Sequence, residues 1–290
     1  MRFHLTLIAQ REFTMLTEAV IARVCDAVAG GVHNILAPGE AVDLTLFAAP
    51  DMAIVRAALD GAPIDAIATP AEGRRKRLLV ADMDSTIVTG ETLDELADFV
   101  GLKDRIAAIT ARAMNGELDF KAALRERVAM LKGLPVEALE HTWQRVRLTP
   151  GARELVVTMR AHGACTVLVS GGFSFFTSRV AALCGFDLHR SNTLLDDGTA
   201  LTGQVAEPIL DRDTKLATLT ELAAERGLEL SATLAVGDGA NDLDMLRAAG
   251  LGVAFRAKPI VAAEARARVD HADLRALLFA QGYRSTDITV

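Results

Sequence analysis

The sequence predicts an α/β protein: a doubly wound parallel sheet with a helical cap insertion, preceded by a small α+β domain. Three observations carry this expectation. First, apolar runs at 78–81, 165–169 and 233–236 each end in a polar or glycine-rich cluster, followed by helix-compatible sequence. Second, the stretch from about 92 to 148 has helical period. Leu93, Leu96, Ala97 and Val100 mark one apolar stripe, and Phe120, Leu124, Val128 and Leu131 another. That stretch far exceeds a normal βα crossover, which predicts a cap over the end of the first strand. Third, residues 1–72 mix strand and helix patterns with no catalytic cluster among them.

Within 1–72, alternation predicts a strand at 3–9. Apolar spacing at Leu16, Ala19, Val20, Ile21, Val24 and Val28 predicts a helix over 14–29. A strand over 42–48 and a short helix over 52–59 follow. The run Arg74-Arg75-Lys76-Arg77 reads as a solvated junction at the start of the second domain, 73–290, since a charge run without an overall basic balance is weak evidence of a partner. Farther on, Asp196-Asp197-Gly198 between apolar pairs predicts a hairpin turn.

Composition bounds the function. The 290 residues are 51% apolar and 24% charged, with a formal charge of −7, so no nucleic-acid or acidic-membrane partner is expected. No apolar window reaches membrane-spanning length, and the first apolar run is too short for a secretory signal. Cys25, Cys165 and Cys184 are widely spaced in apolar sequence, which predicts small buried hydrophobes in a reduced compartment. A cytoplasmic location is expected, and a homodimer is allowed.

The chemistry concentrates where the apolar runs end. Asp82 and Asp84 leave the first run two residues apart, so an extended backbone aims both carboxylates one way. Such a pair can share a divalent metal, or divide the roles of nucleophile and proton donor. The second run enters Ser170-Gly171-Gly172, whose small residues let backbone amides approach an anion. The third enters Gly237-Asp238-Gly239-Ala240-Asn241-Asp242, dense in oxygen donors. A calcium loop needs glycine sixth and glutamate twelfth; counted from Asp82 these places hold Ile87 and Leu93, and from Asp238 Leu243 and Ala249. No P-loop sequence is present, and Leu168 stands where a serine nucleophile elbow needs glycine. Lys215 taken singly reads as a solvated lysine, and the six histidines lack ligand-like spacing.

Asp82-x-Asp84-x-Thr86, Ser170-Gly171-Gly172, Lys215 and Gly237-Asp238-Gly239-x-Asn241-Asp242, in that order, resemble the haloacid-dehalogenase-type phosphatases. Glu91, the segment from Met114 to Phe120 and Arg125-Glu126-Arg127-Val128 are similar to the phosphoserine phosphatase branch of that family. The likeness runs from about Leu78 to Leu278. The N-terminal unit looks like a degenerate ACT-type regulatory domain.

The resemblance implies a HAD-like Rossmannoid core and Mg²⁺-dependent hydrolysis of O-phospho-L-serine, the last step of serine biosynthesis. It implies Asp82 as nucleophile and Asp84 as proton donor and acceptor. The metal would be held by Asp82, the main-chain carbonyl of Asp84, and Asp238. Ser170, Gly171, Lys215 and Asn241 would hold the phosphoryl group, with Asp242 bracing the loop or the lysine. Glu91 would meet the substrate ammonium and Arg127 its carboxylate, with Met114 and Phe120 as an apolar wall. A phosphotransferase on the same chemistry, or a silent amino-acid sensor, are the rival expectations. The complete acid set opposes the sensor.

Overall fold

The computed structural model describes residues 1–31, 33–114 and 118–290. The chain opens as βαββαβ: β1 (Phe3–Ala9), α1 (Glu18–Ala27), β2 (His33–Ala37), β3 (Ala41–Leu46), α2 (Met52–Leu59) and β4 (Ile64–Pro70). The strands form one antiparallel sheet in the order β2-β3-β1-β4, a ferredoxin-like arrangement. Period two puts Leu5 and Leu7 on one sheet face, where they join Ile21, Val24 and Val55 of the helices in a separate core.

The sequence pattern located β1, β3 and α2 but not β2 or β4. Three of the five β2 residues are exposed, so no apolar alternation marks it, and β4 carries the buried acid Asp65. Helix α1 starts at Glu18 rather than 14 because Thr17 caps it, its hydroxyl accepting from Val20 N.

The second unit begins with β5 (Leu78–Asp82). Four helices follow before the chain returns to the sheet: α3 (Thr92–Phe99), α4 (Lys103–Met114), α5 (Phe120–Ala129) and α6 (Glu137–Trp143). Next come α7 (Ala152–Ala161), β6 (Cys165–Phe173), α8 (Ser174–Cys184), β7 (Leu188–Asn192) and the hairpin β8 (Leu194–Asp196) and β9 (Leu201–Val205). The hairpin packs on the cap, with Gly133 N donating to Leu201 O at 2.8 Å. The chain closes with α9 (Arg212–Glu225), β10 (Thr233–Gly237), α10 (Leu243–Ala248), β11 (Leu251–Phe255), α11 (Pro259–Glu264), β12 (Ala267–Val269) and α12 (Ala276–Ala280).

Six parallel strands run β12-β11-β10-β5-β6-β7. Every residue of β5, β10 and β11 is buried, as expected of strands covered on both faces. The winding reverses at β5, between β10 and β6, which opens a crevice at the carboxyl ends of these strands. No helix among the described residues is long and apolar enough to cross a membrane. Cys184 is buried, whereas Cys25 and Cys165 are only half-buried, against the expectation for all three.

The cation run corrects the sequence reading: it is a stitched joint rather than a solvated one. Arg74 forms an ion pair with Asp43 of β3 at 2.6 Å, and both side chains are largely buried. Its guanidinium also donates to Thr6 Oγ1 and to the carbonyls of Phe279 and Ala280. Lys76 is buried, its ammonium donating to the carbonyls of Gly73 and Ser231. Arg75 lies over the Tyr283 ring at 4.2 Å. Beside them, the Asp65 carboxylate accepts from the amides of Asp270, His271 and Ala272. Apart from Gly73, none of these partners is near in sequence, so local pattern could not reveal them.

Removing one partner of a buried ion pair strands the other charge, at a cost of about 3–5 kcal/mol. Asp43→Ala should therefore destabilise the protein by that amount in urea unfolding, and Asp43→Ala with Arg74→Met should recover part of it. A loss under about 1 kcal/mol, the scale of a surface pair, would show that the joint is solvated after all.

Candidate active site

The crevice at the switch point holds most of the residues singled out from the sequence. Asp82 ends β5 opposite Val169 of β6, so Ser170 emerges beside it. Beyond Asp82 the chain makes one wide turn over Met83–Ile87, extended at Asp84 and left-handed at Ser85 (φ 54°). Asp82 and Asp84 consequently face one cavity of about 210 Å³, together with Glu91, Phe120, Arg127, Ser170, Gly171, Asp238 and Asn241. Lys215 and Asp242 lie beneath its floor. The side chain of Met114 lies outside the described residues.

At the floor, the Lys215 ammonium is shared between Asp82 (2.7 Å) and Asp242 (2.6 Å), and all three groups are buried. The second Asp242 oxygen accepts from Gly239 N at 2.9 Å, which ties the loop after β10 to the lysine. This packing needs Gly237, because a Cβ there would come within 2.3 Å of the Asp242 carboxyl carbon. Burial alone lowers the pKa of Lys215, but the Asp242 and Asp82 charges outweigh it and hold the ammonium protonated. Asp82 is raised well above the ordinary carboxylate value, by burial first and then by the Asp242 charge, with Lys215 opposing.

Asp84 sits differently. Thr92 N, at the start of α3, donates to one of its oxygens at 2.8 Å, and the Ser170 hydroxyl donates to the other at 3.1 Å. Burial, and then the Glu91 charge, push it up to about 6 despite these donors. A carboxyl near that value can give and take a proton near neutrality. Ser170 is itself held, its oxygen accepting from Gly172 N at 2.8 Å.

The cap supplies the roof. Ser85 Oγ donates to Glu91 Oε1 at 2.7 Å, which fixes the direction of that carboxylate. Arg127, on α5, is half-buried, and burial pulls its pKa down against the Asp94 and Glu91 charges. Phe120, at the start of α5, lies so near Gly171 that a Cβ there would meet the ring at 3.3 Å. An aromatic ring of the cap thus rests against a glycine on one side of the site.

The donor set suits a divalent cation. Oxygens of Asp82, Asp238 and Asp242 lie within 4.8 Å of one another, all from buried residues. Burial pushes Asp238 up to about 6, with Lys258 opposing and Asp242 and Glu91 adding to the rise. Such a site favours an added positive charge, and an all-oxygen set favours a hard ion. Of the three, Asp242 has both oxygens engaged with Lys215 and Gly239, so Asp82 and Asp238 are the carboxylates available to bind it.

Three contributors escaped the sequence reading. Lys258 lines the cavity with its ammonium 3.9 Å from Asp238, and its backbone N donates to Asp238 O at 3.1 Å. A lone lysine before a proline carries no signal of that contact. The Thr92 amide is invisible because it is backbone. Asn192 holds the glycine loop by donating to Gly171 O at 2.9 Å, and nothing in its local sequence marks it.

The haloacid dehalogenase-like hydrolase family model matches residues 79–247, which contain every one of these site groups except Lys258. A phosphoserine phosphatase of Streptococcus thermophilus is 47% identical over 69% of this chain and 93% of its own. One of Archaeoglobus fulgidus is 47% identical over 65% of this chain and 55% of its own, so the chain spans about half the length of some relatives it matches. A solved structure of a probable phosphoserine phosphatase from Vibrio cholerae superposes with a TM-score of 0.80 at 33% identity. It covers 99% of this chain and 88% of that one, and so extends through the N-terminal sheet. The chain belongs to the haloacid dehalogenase-like hydrolase family and groups there with the phosphoserine phosphatases.

Proposed function

We propose that this protein is a phosphatase that hydrolyses O-phospho-L-serine to L-serine and phosphate, the last step of serine biosynthesis. One observation carries the reading: a small cavity is lined by the carboxylate pair Asp82 and Asp84 together with Glu91 and Arg127 from the cap side. That charge pattern complements a phosphate ester bearing both an ammonium and a carboxylate. The likeness to named phosphoserine phosphatases supports it.

In this mechanism a carboxylate oxygen of Asp82 attacks phosphorus in line and the ester P–O bond breaks. Asp84, protonated, gives its proton to the departing serine oxygen. The resulting aspartyl phosphate divides one difficult displacement into two easier ones. Asp84, now ionised, takes a proton from water as that water attacks phosphorus, and Asp82 leaves as carboxylate. Lys215, Ser170, the Gly171 amide and Asn241 bind the phosphoryl oxygens as charge shifts among them. Lys215 also keeps Asp82 oriented, and Asp242 keeps Lys215 in place. Mg²⁺, held by Asp82, Asp238 and the Asp84 main-chain carbonyl, would offset repulsion between the anionic nucleophile and the anionic substrate. Phe120 excludes bulk water on the side where it meets Gly171.

Asp82→Asn should abolish phosphate release, measured on protein shown by circular dichroism to be folded; undiminished turnover would refute the nucleophile assignment. Arg127→Ala should lower kcat/KM for phosphoserine at least tenfold more than for an aryl phosphate lacking the carboxylate. Equal losses on both substrates would make Arg127 a packing residue.

Lys258 and the metal should compete for Asp238. Lys258→Met is therefore expected to tighten Mg²⁺ several-fold, read by calorimetry without substrate. Unchanged or weaker binding would show that the ammonium does not occupy the cation's place.

A further inference from the structure

A second cavity lies away from the active site. It measures about 480 Å³ and opens where the N-terminal unit meets the edge of the parallel sheet. Arg56 of α2 stands on one wall, and Arg266 and Arg268, at and just before β12, stand on the other. Alanines 62, 66, 262, 263 and 265 leave the space between them unfilled. Both its volume and its position between two units are those favoured by small-molecule sites.

The charges around this crevice are unevenly satisfied. Arg268 is paired with Asp270 at 2.9 Å. The Asp65 carboxylate is consumed by three backbone amides. Arg56 and Arg266 have no ion-pair or hydrogen-bond partner among the described residues. Two unpaired guanidinium groups, one from each unit, thus border one cavity. Guanidinium forks suit carboxylate or phosphate oxygens.

We propose that this crevice binds a small molecule carrying at least two anionic groups, phosphate or carboxylate, with Arg56 and Arg266 each holding one. The site draws on both units and exists only while they are docked. Its wall helix α11 starts beside Lys258 at the mouth of the active site, so the two sites are one six-residue helix apart.

The test is calorimetry on the metal-free 290-residue chain, with inorganic pyrophosphate and citrate as separate probes for the two anion chemistries. At least one should bind with one-to-one stoichiometry. Arg56→Glu with Arg266→Glu should weaken it at least tenfold. Ala263→Phe, which fills the space without changing charge, should weaken it similarly, and all three substituted positions are exposed, so melting temperatures should hold. Arg127→Ala should leave the binding intact. The proposal fails if neither probe binds, if binding survives both crevice variants, or if Arg127→Ala removes it, since that result assigns the anion to the active site. Because no turnover is measured, a wrong substrate for the catalytic site would not produce any of these failures.

Discussion

The shared ammonium of Lys215 is the constraint on which the site depends. Taking two carboxylates out of water is costly unless each is paired and hydrogen-bonded. Here one buried cation serves both Asp82 and Asp242, which fastens the exit of β5 to α9 and to the loop after β10. One positive charge does not balance three neighbouring acids. Burial and mutual repulsion raise Asp82 and Asp238, and the remedy is further positive charge at their free oxygens. That surplus of negative charge suits the cluster to a hard divalent ion.

From that floor the rest follows by geometry. The left-handed turn at Ser85 lets the chain leave β5, present Asp84, and bring Glu91 within reach of the Ser85 hydroxyl. The start of α3 then supplies the amide that holds Asp84. Between the cap and the core, Lys121 pairs with Asp211 and Arg125 with Glu207, but exposed pairs of this kind add little. The approach of Phe120 to Gly171 brings the cap against the glycine loop without charge.

What the sequence disclosed, it disclosed where local pattern and chemistry coincide. Buried parallel strands read as apolar runs, and their polar ends held Asp82, Ser170 and Asp238 in plain view. Glu91 and Arg127 were another matter: on a helix start and a cap helix they resemble ordinary surface charges, and only their spacing within a known family singled them out. Lys215 taken singly looked solvated; the family likeness placed it at the site, and its two carboxylates come from positions 82 and 242. The cation run misled for the same reason, since Asp43 lies 31 residues upstream of Arg74 and the accepting carbonyl of Ala280 lies 206 residues downstream. Period-two reasoning also missed β4, where an acid is buried because three amides from the other unit satisfy it. Local sequence records propensity; it does not record who arrives from afar.

The central claim is that Asp82 carries the phosphoryl group between substrate and water. The most direct measurement is acid quench during turnover of phosphoserine labelled at phosphorus, followed by peptide mapping. The account predicts hydroxylamine-labile label on the peptide containing Asp82, appearing and decaying at rates that match phosphate release. Full turnover with no label at Asp82, or label on a different residue, would contradict it.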